Sequence, residues 1–296
     1  MTPGESEPGL EPATLKDARS ILHLIEEAGW AYTRDEISRL IEVQPGGLLL
    51  LRGGGIRHGV LGCVYASAWG PLGFIGLMLV RADRRNKGLG TRMMLEAMEH
   101  LEAEGVGAIG LDAVGDAIGF YRRLGFRSAW ESLRSGIDTS RVELPEVELD
   151  VRSPTETEMG RVLEMDARVS GMDRSAILQK LWHDPDSTVL VVPGPGDLLA
   201  FGVLRRSKGC LRLGPVVATD GVDGSAAVRA LVSAAVTRTY PRMLTMNVPA
   251  YNREAVELLT VMGAVQYSPC MRMYSGDPGP AGAPEGVWAL GAAEKG

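Results

Sequence analysis

The sequence predicts an α/β (α+β) protein that consists of two tandem copies of one folding unit. Helical and strand-like patterns of apolar residues alternate in the same order in each half of the chain. Gly125 ends a helical segment in the first half, and Gly263 ends the matching segment 138 residues later. The same offset places Leu259 opposite Tyr121. With 296 residues, of which 45% are hydrophobic, the chain is long enough for two ordinary domains.

The first half opens with two helices and three strands. Apolar residues at helical spacing and then in short continuous runs predict helices over 16–28 and 34–41 and strands over 47–52, 60–67 and 74–80. A Gly-Pro-Leu-Gly turn precedes the last of these strands.

A further helix, strand and helix complete the first half. Four residues give the helix over 91–104 one apolar face, namely Met94, Leu95, Met98 and Leu101. Gly105 then supplies a helix stop. A short strand over 111–113 leads to the helical segment that ends at Gly125.

The second half repeats this order. The predicted elements are helices over 155–169 and 174–182, strands over 188–192, 198–206 and 210–217, a helix over 225–237, a strand over 243–248 and a helix after Asn252. The two halves join within 139–150, where the acidic stretch from Glu143 favours a strand-bearing crossover over a flexible linker. We expect domains at 9–138 and 146–276, followed by a disordered, Pro- and Gly-rich tail at 277–296.

A basic, glycine-containing turn separates the strand that ends at Val80 from the helix that follows. It carries five cations and one acid, Asp83, in a chain of formal net charge -6; the cations are Arg81, Arg84, Arg85, Lys87 and Arg92. Gly88 and Gly90 allow close backbone approach to a ligand, and the next helix presents unpaired N–H groups there. The turn therefore predicts a phosphate site, although a solvated basic turn that caps a helix has the same residues.

The spacing of this turn excludes two common phosphate loops. No Gly-x-x-x-x-Gly-Lys-Ser/Thr string occurs, and Met93 stands where a dinucleotide fingerprint needs its third glycine. The string Arg85-Asn86-Lys87-Gly88-Leu89-Gly90 instead resembles the Arg/Gln-x-x-Gly-x-Gly/Ala loop of GNAT-superfamily acetyltransferases.

A second string supports the resemblance. That family commonly carries Ala-x-x-x-Tyr-x-x-x-Gly-Phe downstream, and Ala117, Tyr121, Gly125 and Phe126 match it. Val114 stands where many members have Asn, and Ala82 stands where Pro is usual. These departures put the substrate in doubt more than the use of the cofactor.

The resemblance implies a fold, a co-substrate and roles for particular residues. Each half would be a twisted, mixed, mostly antiparallel sheet flanked by helices, and the co-substrate would be acetyl-CoA. Met78, Leu79 and Val80 would hold the pantetheine arm and the thioester oxygen by backbone amides. The pyrophosphate would lie on the turn, with contacts from Arg85, Asn86, Lys87, Gly88, Leu89, Gly90 and Thr91. Tyr121 would be the general acid that protonates the departing sulfur.

The groups that would serve the acceptor are less defined. Asp112 and Glu26 are candidate bases for the incoming amine, although carboxylates in such positions are more often ordinary structural or surface groups. Three aromatic residues lie in segments that would frame the acceptor pocket or the core: Trp30, Tyr32 and Trp69. Asp173 and Arg174 either reach that pocket from the second half or cap a helix.

The second half keeps the pattern and lacks the chemistry. Asp220 and Asp223 occupy its counterpart of the basic turn, where their charge opposes binding of a pyrophosphate. Leu259 has no proton to give. We therefore expect a degenerate, non-catalytic second domain of the same family, a tandem arrangement that this family includes.

Composition limits the remaining classes of function. No apolar run reaches the ~18 residues of a membrane span, and the N-terminus lacks the pattern of a signal peptide. Cys63, Cys210 and Cys270 are widely spaced and form no metal-ligand group with the four histidines, so we expect no metal site. The acidic balance argues against nucleic acid. We expect a cytoplasmic protein; homodimerisation is left open.

The combined reading is an N-acetyltransferase that moves the acetyl group of acetyl-CoA to a primary amine of a small molecule or peptide by direct attack. Peptide N-termini, aminoglycosides, polyamines and amino-acid side chains all stay open as acceptors. The alternative is a non-catalytic acyl-CoA-binding sensor or regulatory module, which would have no need of the Tyr121 hydroxyl.

Overall fold

The computed structural model describes residues 9–53, 59–142, 147–240, 242–279 and 282–292. The chain divides into two compact units, Met1–Leu111 and Asp112–Gly296. Within the predicted crossover, residues 143–146 lie outside the described part, and residues 147–150 carry no strand.

The first unit is one sheet with helices packed on it. Its elements are β1 (Leu10–Pro12), α1 (Ala18–Glu27), α2 (Arg34–Val43), β2 (Leu48–Arg52), β3 (Val60–Trp69), β4 (Leu72–Val80), α3 (Leu89–Ala103) and β5 (Ala108–Val114), whose last residues belong to the second unit. The strands are hydrogen-bonded in chain order. All pairs are antiparallel except β4 with β5, which is parallel.

The core of the first unit forms where apolar faces of helices meet the leucine run of β2. Leu48–Leu51 is buried throughout. Leu48 and Leu50 share one core with three isoleucines of the two helices, namely Ile21, Ile25 and Ile37. The approach of α3 requires Gly62 on β3, because a Cβ there would lie 2.8 Å from the Met93 sulfur and 2.7 Å from the Leu79 carbonyl oxygen. This close packing fixes the start of α3 beside the end of β4.

The second unit has its own sheet and helices. Its elements are α4 (Ile118–Arg123), β6 (Arg127–Asp138), α5 (Glu156–Ser170), α6 (Ser175–Trp182), β7 (Ser187–Pro193), β8 (Leu198–Ser207), β9 (Cys210–Ala218), α7 (Val222–Arg238), β10 (Met243–Pro249), α8 (Arg253–Val261), β11 (Val265–Gly276) and β12 (Val287–Ala289). The strand order is β11-β6-β10-β9-β8-β7, with β12 paired to β9. Only β9 and β10 are parallel among these pairs.

The structure shows the duplication in its strands. An offset of 138 residues superimposes the limits of β3 on β8, β4 on β9 and β6 on β11, residue for residue. In each half the one parallel pair joins the corresponding strands, β4 with β5 and β9 with β10. The predicted fold class, two mixed and mostly antiparallel sheets flanked by helices, is confirmed.

Two expectations differ from the structure. The strand β6, which we assigned to a first domain ending at 138, pairs with β10 and β11 of the second unit. The boundary between the two compact units accordingly lies after residue 111. The limits at 9–138 and 146–276 describe the sequence repeat and stay a prediction. The prediction of a disordered tail over 277–296 is wrong for residues 287–289, because Val287 and Ala289 pair with β9 and Trp288 is only 4% exposed.

Two features are absent from the described residues. None of their helices combines the length and the apolar character that a membrane crossing needs. They also contain no group of three or more His, Cys, Asp or Glu side chains placed to hold a metal ion.

Candidate active site

The strand β4 contains a bulge just before the residues predicted to hold the cofactor arm. Its parallel ladder with β5, as far as the structure describes it, runs from Leu72 to Phe74. Its pairing with β3 then shifts register around Leu77, which has a positive φ of 48°. Such a φ is rare for a bulky residue, and bulges re-aim strands beside functional sites. The predicted arm-binding stretch 78–80 follows directly, with Leu79 buried in the core.

The turn after β4 contains a second backbone feature of this kind. Asn86 has φ 60° and Gly88 has φ 76°. Leu77 and Asn86 are the two non-glycine residues with positive φ in the part of the chain that the structure describes. They flank the segment 78–85, and strained backbone of this sort is concentrated at functional sites.

The N-terminus of α3 is left open. Gly88 is its N-cap and offers no side-chain acceptor, and no acid lies in the first turn. By contrast, side chains of Thr33, Thr155 and Asn252 accept N–H bonds at the starts of α2, α5 and α8. The first-turn amides of α3, which begins with Leu89, Gly90 and Thr91, are therefore available to a ligand.

Ion pairs in the turn leave two cations without an acid. Asp83 accepts hydrogen bonds from Arg81 at 2.6 and 3.0 Å and lies 3.5 Å from Arg84. The Arg85 Nε donates to the Val80 carbonyl oxygen at 3.0 Å. Among the described residues, neither Arg85 nor Lys87 has a carboxylate partner, and both are exposed. Open amides, left-handed backbone and positive charge together fit a pyrophosphate.

Tyr121 lies in α4, in the second unit. Its ring makes edge-to-face contacts with Phe120 and Phe126, at centroid distances of 5.1 and 6.0 Å. Burial raises the pKa of its phenol to about 12. The hydroxyl is consequently protonated at neutral pH, which is the state that a hydrogen-bond donor or general acid requires.

Of the two candidate bases, Asp112 is already engaged. Its Oδ1 accepts a 2.6 Å hydrogen bond from the Arg272 Nε, and the two side chains are 0% and 2% exposed. The guanidinium lies 4.9 Å from the centre of the Trp130 ring. This buried ion pair makes Asp112 a structural partner of Arg272. Glu26 is exposed on α1.

The other candidate side chains divide between surface and core. Trp30 is 38% exposed, Tyr32 packs against the core and Trp69 is buried. Asp173 accepts bonds from the backbone and hydroxyl of Ser175 at the start of α6. Arg174 is buried in a two-pronged ion pair with Asp166, at 2.6 and 3.0 Å. Asp173 therefore fits the alternative of capping the helix, whereas the Arg174 side chain makes no cap bond and pairs with α5 instead.

The corresponding turn of the second half has the opposite charge. Gly221 is the N-cap of α7 at φ 89°, and Asp223 lies in the first turn. Glu254 of α8 accepts a hydrogen bond from Ser225 in that same first turn. Leu259, the counterpart of Tyr121, is 5% exposed and packs in the core. Acidic side chains thus lie at this helix start, where the first half has cations.

Family models match both halves of the chain. A model described as the acetyltransferase (GNAT) family matches residues 17–126, and one described as an acetyltransferase (GNAT) domain matches residues 162–289. The chain belongs to the GNAT acetyltransferase family. The predicted family is confirmed, and with it an acyltransferase in which the family's domain occurs twice.

Individual proteins and solved structures are similar to this chain over most of its length. A holothin acyltransferase from Pseudoalteromonas sp. (strain SANK 73390) is 26% identical over 226 residues, which cover 75% of this chain and 73% of that protein. A solved structure from Pyrococcus horikoshii has a TM-score of 0.78 at 22% identity and covers 100% of this chain and 98% of its own. A tandem GNAT protein from the clavulanic acid biosynthesis pathway has a TM-score of 0.65 at 14% identity, covering 91% and 98%.

Three features of this GNAT chain escaped the sequence reasoning. Leu77 carries no local signal for a bulge, because its positive φ results from the register of β3 with β4. The pairing of Arg272 with Asp112 joins residues 160 positions apart. The strand β12 was missed although Val287, Trp288, Ala289 and Leu290 form an apolar run, a signal that outweighs the neighbouring Pro and Gly residues.

Proposed function

We propose that the first half of the chain binds acetyl-CoA and that the protein is an N-acetyltransferase acting on a primary amine of a small molecule or peptide. The observation that carries this proposal is the open N-terminus of α3, preceded by left-handed Asn86 and Gly88 and by two cations without acid partners. The N-cap residues of α2, α5 and α8 close the same position with a side chain, whereas those of α1, α4, α6 and α7 do not. The two unpaired cations beside the open start of α3 therefore support a ligand as the missing partner.

Bound acetyl-CoA supplies an activated acetyl thioester. The amides of the turn from Asn86 to Thr91 hold its pyrophosphate, and Arg85 and Lys87 add charge. The backbone after the bulge at Leu77 positions the arm, with amides of 78–80 aimed where negative charge develops on the thioester oxygen. Fixed dipoles of this kind need no reorganisation during the reaction.

Tyr121 donates a proton to the leaving sulfur. The amine nitrogen forms a bond to the thioester carbon, the carbon–sulfur bond breaks, and the sulfur takes the phenolic proton. The surplus proton of the amine passes to water, and the Tyr121 phenolate is reprotonated from solvent. We assign no base role to Asp112, since Arg272 holds it.

The cellular setting follows from the thiols. The three cysteines are free, and Cys63 and Cys270 are buried. We propose a reducing compartment, the cytoplasm, as the site of action.

Calorimetric titration with acetyl-CoA tests the cofactor site. Gly88→Glu adds a negative charge at the turn and a side chain at positive φ, so we expect binding to be lost. Gly221→Glu is the matched control, because that residue is the N-cap of α7, also has positive φ, and also has open space around its Cβ. One site per chain in the wild type and in Gly221→Glu supports the proposal; absence of binding in the wild type would overturn it.

Acetylation of an amine panel tests the chemistry. Tyr121→Phe should lower kcat by about 10²-fold with little change in KM, because it removes a proton donor and no binding group. Tyr267→Phe, on an exposed tyrosine of β11, is the control. Tight binding of acetyl-CoA without turnover of any amine would favour the acyl-CoA sensor.

A further inference from the structure

The last described segment of the chain lies in a cleft of the second unit. The strands β9 and β10 pair in parallel only at their first residues, Leu211 with Leu244 and Arg212 with Thr245. Beyond this point the antiparallel β12 takes up the edge of β9, and the Leu290 N–H donates to the Asn247 carbonyl oxygen of β10 at 2.8 Å. The segment therefore bridges two strands that have moved apart.

The contact is closely fitted on both sides. A Cβ at Gly286 would lie 2.6 Å from the Ala218 carbonyl oxygen, and one at Gly282 would lie 2.7 Å from the Gly171 nitrogen. From the cleft side, a Cβ at Gly214 would collide with the Leu290 carbonyl oxygen. The positions where the backbones of the segment and the cleft come closest are thus occupied by glycines, on the segment and on the cleft.

Side chains reinforce the backbone contacts. Trp288 and Ala289 belong to the main hydrophobic core of this unit. The Asn252 amide nitrogen donates to the carbonyl oxygens of Glu285 and Val287, both at 3.0 Å. The same side chain accepts from the Ala255 N–H through its oxygen, and so caps α8. One residue couples the helix to the segment.

The cleft corresponds to the proposed cofactor cleft of the first half. The offset of 138 residues relates 78–80, which we propose line the acyl-CoA arm, to 216–218. Val216 and Val217 of this stretch are the residues that pair with β12. A register shift precedes the stretch in both halves, at Leu77 in β4 and at Gly214 in β9. This correspondence rests on the proposed function; the contacts of the segment do not.

We propose that the second domain is a peptide clamp: the cleft between β9 and β10 binds an extended apolar segment, and its resident occupant is residues 282–292 of the same chain. Main-chain pairing supplies affinity and buried side chains supply specificity, as in other cases of strand addition. Tethering gives the occupant a high effective concentration, so the cleft stays closed to an acyl-CoA arm.

Hydrogen exchange of the full chain gives the first test. Asn252→Asp keeps the acceptor that caps α8 and replaces both donors to the segment by a negative charge. We expect exchange within 282–292 to rise by at least about tenfold, while the rest of the unit stays protected. Arg253→Gln, at the next position and with the same change in net charge, should have no effect. Rapid exchange of 282–292 in the wild type would overturn the proposal.

A peptide added in trans gives the second test. A chain ending at Asp277 should bind a synthetic peptide of residues 282–292 in fluorescence anisotropy, whereas the full chain, whose cleft is occupied, should not. A Trp288→Ala peptide should bind at least about tenfold more weakly. Equal binding to both chains, or a second acetyl-CoA site in the truncated chain, would overturn the clamp. If the truncated chain does not fold, the exchange data decide.

These readouts are independent of catalysis. Failure of the wild type to bind acetyl-CoA would remove the proposed function and leave slow exchange in 282–292 and peptide binding unchanged.

Discussion

The ion pair between Arg272 and Asp112 gives a sharp prediction about stability. Its two charged side chains are 2% and 0% exposed and are joined at 2.6 Å. Arg272→Met keeps an apolar stem of similar length and leaves the Asp112 carboxylate buried without its partner. Loss of one member of such a pair costs about 3–5 kcal/mol. The lost contact with the Trp130 ring adds about 0.5–2 kcal/mol.

The assay is thermal and urea unfolding followed by circular dichroism. A loss of this size lowers Tm by about 10 °C for a unit of 150–250 residues. The double variant Arg272→Met with Asp112→Leu should regain most of the loss, because no uncompensated charge stays buried. A deficit under 1 kcal/mol in the single variant, or no recovery in the double variant, would refute the reasoning.

Three further predictions concern single residues. The Tyr121 phenol, with a pKa of about 12, should not limit kcat at alkaline pH below about 10; a fall nearer pH 8 that disappears in Tyr121→Phe would contradict this. Gly47→Ala should lower stability by about 1–3 kcal/mol in thermal unfolding, because its Cβ would lie 2.6 Å from the Gln44 Cγ and collide with the Ala66 carbonyl. Gly9→Ala, with nothing within 4 Å, is its control and should be neutral. Cys63, whose pKa burial raises to about 12, should resist iodoacetamide in native protein while the partly buried Cys210 reacts, as read by mass spectrometry.

Local patterns predicted the strands well because each one is a short, nearly continuous apolar run. The strand predicted over 198–206 is observed as Leu198–Ser207, and that over 210–217 as Cys210–Ala218. The predicted starts of helices were less accurate where a glycine interrupts the pattern of apolar residues. The helix predicted over 225–237 begins at Val222, ahead of Gly224. Propensity alone does not place a helix start that packing determines.

The site was predictable to the extent that it consists of local chemistry. Both glycines of the turn and two of its cations, Arg85 and Lys87, lie within the six residues 85–90, so the string itself indicates an anion site. The bulge at Leu77 depends on how β3 and β4 pair, and the engagement of Asp112 depends on a residue of β11. A single sequence carries no record of such long-range pairings, which is why Asp112 was a candidate base.

The position of β6 has a consequence for how this chain can be divided. This strand closes the first copy of the repeat in the sequence, yet both its hydrogen-bonding neighbours, β10 and β11, come from the second copy. If the polypeptide were cut at the junction near residue 139 and the pieces separated, β6 would be left with two bare edges, which are sites for aggregation. The second copy would in turn lose the strand that lies between β10 and β11. The limits of the sequence repeat are therefore poor places to truncate this protein.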